Sequence, residues 1–175
     1  SGSSLLCRAP SMTAAQFTEN YNLYADAIFR YCFTYAKSRD IAKDLTQETF
    51  IKTWNYIARG KKIDNMKTFL YRTARNTAID WYRTRKTDSL DALEDEGFDV
   101  ATSEHERTPE ITDGSRALEL IKKLSPEHQE VLTMRFVDDL TPTEIGEILG
   151  ENDNAVSQRL NRAMKKLREL FIHNG

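Results

Sequence analysis

The sequence predicts an all-α protein with two small helical domains joined by a flexible acidic linker. Only 7 Gly and 4 Pro occur in 175 residues, which favours long helices over a turn-rich β fold. Charge is divided unevenly: residues 1–86 carry 15 Lys/Arg against 7 Asp/Glu, residues 87–114 carry 1 against 10, and residues 115–175 carry 9 against 10. This division indicates a basic domain over 13–86, an acidic linker over 87–114 and a near-neutral domain over 115–175, after a disordered leader or expression scar over 1–12.

The first helix is predicted from a capping box and a stripe of aromatic residues. Thr13 and Gln16 have the spacing at which a hydroxyl and an amide side chain satisfy backbone N–H groups at a helix start. Large apolar side chains then recur in alternating steps of four and three, at Phe17, Tyr21, Tyr24, Ile28, Tyr31 and Tyr35. Such spacing places them on one face, so an amphipathic helix with a buried aromatic side is expected.

A second helix is expected from Asp40, as its N-cap, to about Ala58. Its predicted buried face consists of Leu45, Thr49, Thr53 and Ile57. The opposite face is polar, with Ile51 at the centre of Asp44, Gln47, Glu48 and Asn55. A solvated helix surface would account for the polar residues, whereas the exposed isoleucine among them favours a protein-binding patch.

The third helix, from about Met66 to Lys86, has one apolar and one basic face. Its segment FLYRTARNTAIDWYRTRK places the predicted core residues on one side, at Leu70, Ala74, Ala78 and Trp81. The basic side, with the turn before the helix, consists of Lys61, Lys62, Arg72, Arg75, Asn76, Asp80, Arg83 and Lys86. Cations interleaved with aromatic residues are typical of single-strand nucleic-acid binding. The alternative is a solvated surface on which Asp80 pairs with Arg83.

The second domain is expected to begin with two helices. The first covers about residues 115–123. Ser125 and Pro126 then have the order of an N-cap and a first helical residue, so the second helix is expected to begin at Pro126 and to end near Phe136.

The last two helices have the proportions of a helix-turn-helix motif. Thr141 and Glu144 have capping-box spacing, Gly150 ends the first of these helices, and Asn152 or Asp153 caps the second. The apolar stripe of the last helix consists of Val156, Leu160, Ala163, Leu167 and Leu170. Its polar side consists of Asn154, Ser157, Gln158, Asn161, Arg162 and Lys165. Such amide, hydroxyl and cationic groups can read base edges or bind phosphates, although a solvated helix of a bundle is the alternative.

Several classes of function have no signature in the sequence. There is no Gly-rich phosphate loop, no nucleophile–base motif, and no metal-ligand spacing among the 2 Cys and 3 His, so we expect no enzyme activity, no cofactor and no metal. No apolar run is long enough for a membrane helix, and the first residues lack the apolar region of a signal peptide. A cytoplasmic protein is therefore expected.

Three segments together resemble the extracytoplasmic-function sigma factors of the sigma-70 family. The family's region 2.2 resembles DIAKDLTQETFIKTWNYI, its regions 2.3 and 2.4 resemble FLYRTARNTAIDWYRTRK, and its region 4 resembles LSPEHQEVLTMRFVDDLTPTEIGEILGENDNAVSQRLNRAMKKLRE. The resemblance covers about residues 16–86 and 116–171, in the family's order. It implies an alternative sigma factor that binds core RNA polymerase and directs promoter recognition and DNA opening at transcription initiation.

The resemblance and the helix faces together give three groups of expected site residues. Contacts to the clamp helices of the largest polymerase subunit are expected from Asp44, Gln47, Glu48, Phe50, Ile51 and Asn55. Contacts to the −10 element, captured as a single strand, are expected from Lys61, Lys62, Arg72, Arg75, Asn76, Asp80 and Arg83. Contacts to the −35 element, read as duplex, are expected from Asn154, Ser157, Gln158, Arg159, Arg162 and Lys165.

The expected partners follow from the same resemblance. They are core RNA polymerase, through its clamp helices and the flap of its second-largest subunit, promoter DNA, and an anti-sigma factor or another recruiting regulator. The rival interpretation is a stand-alone helix-turn-helix regulator that binds duplex DNA without polymerase. The basic first domain and the absence of a dimerisation helix count against that rival. A helical adaptor without DNA contact is a more remote alternative.

Overall fold

The computed structural model describes residues 9–88 and 113–173. Throughout these ranges the regular structure is helical, which confirms the all-α class, and contacts divide the chain into two compact units, Ser1–Ala78 and Ile79–Gly175. Most of the predicted leader and nearly all of the predicted acidic linker lie outside the described residues. In the part of the chain that is described, no helix combines the length and apolar character needed to cross a bilayer.

The first unit begins with two packed helices, α1 (Ala14–Ala36) and α2 (Arg39–Ala58). The capping box of α1 is confirmed, because the Gln16 N–H donates to Thr13 Oγ1 at 3.2 Å and the Thr13 N–H donates to Gln16 Oε1 at 3.0 Å. The predicted N-cap of α2 is wrong. The cap is Ser38, and Asp40 lies in the first turn, where its carboxylate is near the positive end of the helix dipole.

The core of the first unit is rich in aromatic and hydroxyl side chains. Tyr31 of α1 is buried, and its ring centroid lies 6.0 Å from that of Tyr71 in an edge-to-face arrangement. All four predicted core residues of α2 are buried, namely Leu45, Thr49, Thr53 and Ile57. The hydroxyls of Thr49 and Thr53 each donate to the carbonyl four residues earlier, at 2.8 Å, which satisfies them inside the core.

The third helix, α3 (Met66–Asp88), continues across the boundary between the two units. The Thr68 N–H donates to Asn65 Oδ1 at 3.2 Å, so an asparagine caps its start. Three predicted core residues of this helix are buried, Leu70, Ala74 and Ala78. Trp81 is a correction, because its side chain is only half-buried and the guanidinium carbon of Arg85 lies 5.3 Å from its ring centroid.

The second unit contains α4 (Asp113–Ile121), α5 (Pro126–Leu132), α6 (Pro142–Leu149) and α7 (Asp153–His173). The helix that begins at Pro126 changes to a π-helical turn over Thr133–Val137, which the sequence does not predict. The largest buried side chains of this unit include Leu132, Met134, Leu140, Ile145 and Val156. These residues form a core between the helix-turn-helix motif and the helices before it.

The caps of the helix-turn-helix are those that the sequence predicts. The Glu144 N–H donates to Thr141 Oγ1 at 3.1 Å and the Thr141 N–H donates to Glu144 Oε1 at 3.2 Å. Gly150 ends α6 with a φ of 71°, a left-handed conformation that glycine adopts without strain. Asn152 rather than Asp153 caps α7, since its Oδ1 accepts the N–H of Ala155 at 2.8 Å.

Candidate protein and nucleic-acid interfaces

The polar face of α2 is exposed, and we call it the α2 face. It consists of Asp44, Gln47, Glu48, Ile51 and Asn55. Ile51, at its centre, is 59% exposed. Lys52 Nζ lies 3.0 Å from Glu48 Oε1 and donates to Thr77 Oγ1 of α3 at 3.1 Å, so the edge of this face is tied to the neighbouring helix. An apolar centre within a polar rim is the composition of a protein-docking surface.

Phe50 is the one buried residue in the first group of predicted site residues. Its side chain is 4% exposed, because its position on α2 is turned toward α1. Its ring centroid lies 6.2 Å from that of Phe17 and 4.7 Å from that of Tyr21. A side chain buried this deeply supports the α2 face from beneath and reaches the surface only in the floor of an apolar groove.

An apolar groove continues the α2 face onto α1. It has a volume of about 360 Å³ and is lined by Phe17, Tyr21, Gln47, Phe50, Ile51 and Trp54. Tyr21 is 40% exposed although it belongs to the predicted buried stripe of α1. The sequence-based prediction misses this groove. The available signal is Trp54, a large apolar side chain one turn from Ile51, whose ring centroid lies 5.1 Å from that of Phe17 on α1.

The basic side of α3 is exposed at most of its predicted positions. Four predicted residues are exposed, Arg72, Asn76, Asp80 and Arg83, and so are Lys61 and Lys62 in the turn before the helix. Arg75 is half-buried and has contacts within the protein. Lys61 Nζ lies 5.2 Å from the ring centroid of Tyr56. The ring centroid of Tyr56 in turn lies 4.8 Å from that of Phe69 in α3. This cation–π contact places the basic turn beside the start of α3.

The polar side of α7 has five of its six predicted DNA-contact residues exposed. They are Asn154, Ser157, Gln158, Arg162 and Lys165. Of the predicted apolar stripe, Val156, Ala163 and Leu167 are buried, while Leu160 and Leu170 are half-buried. The amide and hydroxyl groups therefore occupy the first two turns of α7, the part of a recognition helix that contacts base edges.

Arg159 is placed differently from the other five. Its Nε lies 2.8 and 3.0 Å from the two carboxylate oxygens of Glu151, and its Nη2 also donates to that carboxylate. The side chains of Arg159 and Glu151 are 33% and 24% exposed. The hydrogen bonds that Arg159 donates to Glu151 raise the pKa of the Arg159 guanidinium above its ordinary value, against the opposing effect of burial. Arg159 thus belongs to an intramolecular ion pair that the sequence pattern does not reveal.

Both helical regions match a described protein family. Residues 21–87 match Sigma-70 region 2, and residues 120–169 match Sigma-70, region 4. The RNA polymerase sigma factor YlaC of Bacillus subtilis (strain 168) is 34% identical over 152 residues, which cover 85% of this chain and 88% of that protein. The ECF RNA polymerase sigma factor SigW of the same strain is 30% identical over 163 residues, which cover 87% of each.

A solved structure has the same fold. The sigma factor RpoE, in its complex with the anti-sigma factor NepR from Bartonella quintana, aligns with a TM-score of 0.64 and 20% identity, over 89% of this chain and 96% of that chain. A stand-alone helix-turn-helix regulator is not favoured, because region 2 and region 4 are matched in one chain and in the family's order. The chain belongs to the extracytoplasmic-function sigma factors of the sigma-70 family, and it is an alternative sigma factor that directs transcription initiation.

Proposed function

We propose that the chain binds core RNA polymerase through the α2 face, which docks on the clamp helices of the largest subunit. The exposed Ile51 within a polar rim supports this, because burying it against a partner would remove apolar surface from water without disturbing the core. The apolar groove beside the face offers further area for the same contact. Phe50 keeps α2 in place through its packing on α1.

The basic side of α3 and the turn before it bind the −10 element as a single strand. Arg72 and Arg83 are exposed cations on one side of the helix, and Lys61 and Lys62 add two more in the turn. Cations near aromatic rings suit a strand whose bases are unstacked, since phosphates pair with the cations and bases stack on the rings. Asn76 and Asp80 add hydrogen-bonding groups on the same side of α3.

The recognition helix α7 reads the −35 element as duplex DNA. Its first two turns present Asn154, Ser157 and Gln158, which can donate to and accept from base edges in the major groove. Arg162 and Lys165 follow on the exposed side, where Arg162 can bind base acceptors or phosphates and Lys165 can bind phosphates. The domain boundaries that go with these three roles are 13–86 for region 2 and 115–175 for region 4.

Further roles complete the proposal. The chain has no catalytic residues of its own and works in the cytoplasm as a subunit of the polymerase holoenzyme. It also contacts the flap of the second-largest subunit through region 4. An anti-sigma factor restrains it, a suggestion supported by the relative of similar fold that is complexed with the anti-sigma factor NepR.

The observation that carries the proposal is the exposed Ile51 in the polar α2 face. A photo-crosslinking residue placed at position 51 of the full chain, mixed with core polymerase, should crosslink to the largest subunit. The matched control is the same residue at position 23, where Leu23 of α1 is 68% exposed and lies outside the α2 face. Crosslinking of both positions to the same subunit with equal yield, or of neither, would argue against docking through α2.

A further inference from the structure

Two hydrogen bonds connect α6 to the residues that follow it, one to the turn between α6 and α7 and one to the start of α7. The Glu151 N–H donates to the carbonyl of Gly146 at 2.9 Å. Thr143 Oγ1 donates to Asp153 Oδ2 at 3.2 Å, which joins the first turn of α6 to the first turn of α7. Position 146 must be small, since a Cβ there would come within 2.5 Å of the backbone oxygen of Glu151. The turn therefore lies directly against α6.

A third tie joins the same turn to α7 itself. Glu151 precedes α7, and Arg159 lies in its second turn, yet their side chains meet through a forked set of hydrogen bonds. Asn154 and Gln158 lie between these two residues in the sequence, on the exposed side of the helix. The ion pair thus spans the two turns that carry the base-reading side chains.

The surroundings of Arg159 explain why its charge stays inside the domain. Glu151, Glu130 and Glu127 all raise the pKa of its guanidinium, and the Glu151 hydrogen bonds are the largest of these effects. Glu130, on α5, is 0% exposed, and its charge favours the cationic form of Arg159. Moving Arg159 to a DNA phosphate would break its forked contact with Glu151.

We infer that Glu151 and Arg159 are positioning residues for −35 recognition, and that Arg159 does not itself contact DNA. The pair fixes the turn against the first two turns of α7 and thereby sets where Asn154 and Gln158 meet the base edges. Base readout depends on such placement, because hydrogen bonds weaken steeply when donor and acceptor are misaligned. The inference rests on the proposed assignment of α7 to the −35 element.

The test uses holoenzyme formed from the full chain and core polymerase. Binding is measured across a salt series to promoters with the preferred −35 element, chosen from a library by the wild type, and with a scrambled one. The variants are Glu151→Gln, Arg159→Gln and the double variant. Lys165→Gln is the matched control, because Lys165 is an exposed cation on the same helix.

Both single variants should reduce the ratio of preferred to scrambled binding by about tenfold, the loss expected for one misplaced base contact. The double variant should lose no more than the worse single variant, since each single change already abolishes the charge pairing between the two side chains. Arg159→Gln should leave the slope of log K against log salt unchanged, whereas Lys165→Gln should flatten it by about 0.9 and keep the ratio. Wild-type selectivity in Glu151→Gln, or a flattened slope in Arg159→Gln, would overturn the inference.

Two further measurements keep the test decisive. If Arg159→Gln fails to fold by circular dichroism, Glu151→Gln decides alone, because glutamine has the same shape as glutamate and this variant keeps the Arg159 side chain. If wild-type holoenzyme ignores the −35 sequence, the proposed role of α7 fails. The positioning claim is then judged on the free protein, where Glu151→Gln should speed hydrogen exchange of the Ala155 amide about tenfold, and an unchanged rate contradicts it.

Discussion

Replacing Ile51 with alanine should weaken the binding of the chain to core polymerase and leave the free protein nearly unchanged. Fully burying an isoleucine side chain is worth about 1.5–3 kcal/mol. Ile51 is 59% exposed in the free protein, so that fraction of its surface is what a partner can still bury. That fraction corresponds to about 0.9–1.8 kcal/mol, and allowing for the Cβ that alanine keeps lowers the loss to about 0.6–1.4 kcal/mol, or roughly threefold to tenfold in Kd.

The assay is fluorescence anisotropy of the labelled full chain titrated with core polymerase, with Leu23→Ala as the control. Leu23 is 68% exposed, so its truncation removes a similar exposed surface outside the α2 face. The free energy of unfolding of both variants should lie within about 0.5 kcal/mol of the wild-type value, because neither side chain belongs to the core. Equal weakening by the two variants, or no weakening by Ile51→Ala, would refute the assignment of this face to the polymerase.

Three other predictions use the same chain. Asp44→Arg reverses an exposed charge of the α2 face, so it should lower the affinity for polymerase. Its helix content in circular dichroism should stay that of the wild type, and an unfolded variant would contradict a surface role for Asp44. Burial raises the pKa of the Cys32 thiol to about 12 from 9.0. The thiol then stays neutral in the folded state while the unfolded thiol ionises, so the free energy of unfolding should fall as pH rises from about 9 towards 12. Cys32→Ala should flatten that fall in urea titrations. The same pH dependence in the wild type and in Cys32→Ala would contradict a contribution from this thiol. Gln158→Ala should relax the sequence preference at one or two −35 positions and keep the salt slope of holoenzyme binding. Arg72→Ala, which removes an exposed cation of α3, should instead flatten that slope by about 0.7 on all promoters alike. The reverse pattern would contradict these two assignments.

The sequence predicts the parts of the fold that depend on local chemistry. The two Thr capping boxes, at Thr13 and Thr141, form as expected because each needs only residues three positions apart. The buried face of α2 also follows from spacing alone, since Leu45 and Ile57 lie on the side that packs into the core. Local pattern is sufficient wherever the partner of a side chain is a neighbour along its own helix.

Apart from the N-cap of α2, which is Ser38 rather than Asp40, the differences between prediction and structure arise where a distant contact decides. Phe50 lies at the border of the buried arc of α2, and only the position of α1 makes it a core residue. Arg159 fits the pattern of an exposed cation, but Glu151 folds back to it across the turn. The π-helical turn after α5 has no signature in a sequence pattern that continues with the same apolar spacing. Such features depend on how two elements meet, which spacing along one helix does not encode.

The sequence predicts the exposure of the site residues better than their roles. Nearly all of the polar residues proposed for the polymerase and for DNA are exposed, because they lie opposite apolar stripes on their helices. Which macromolecule covers each surface follows instead from family membership, and each residue's contact is a proposal. The groove next to Ile51 is a feature that the sequence does not predict, because it is formed by α1 and α2 together and no single segment reveals it.

The most direct test of the account is transcription in a purified system. Core polymerase should start transcripts on a promoter library only when the full chain is added, and the active templates should share one −10 and one −35 sequence. Core polymerase with Asp44→Arg should start few transcripts on the same library, although that variant keeps its fold. Absence of chain-dependent transcripts, together with tight binding of the chain alone to duplex promoter DNA, would contradict a sigma factor that acts through polymerase.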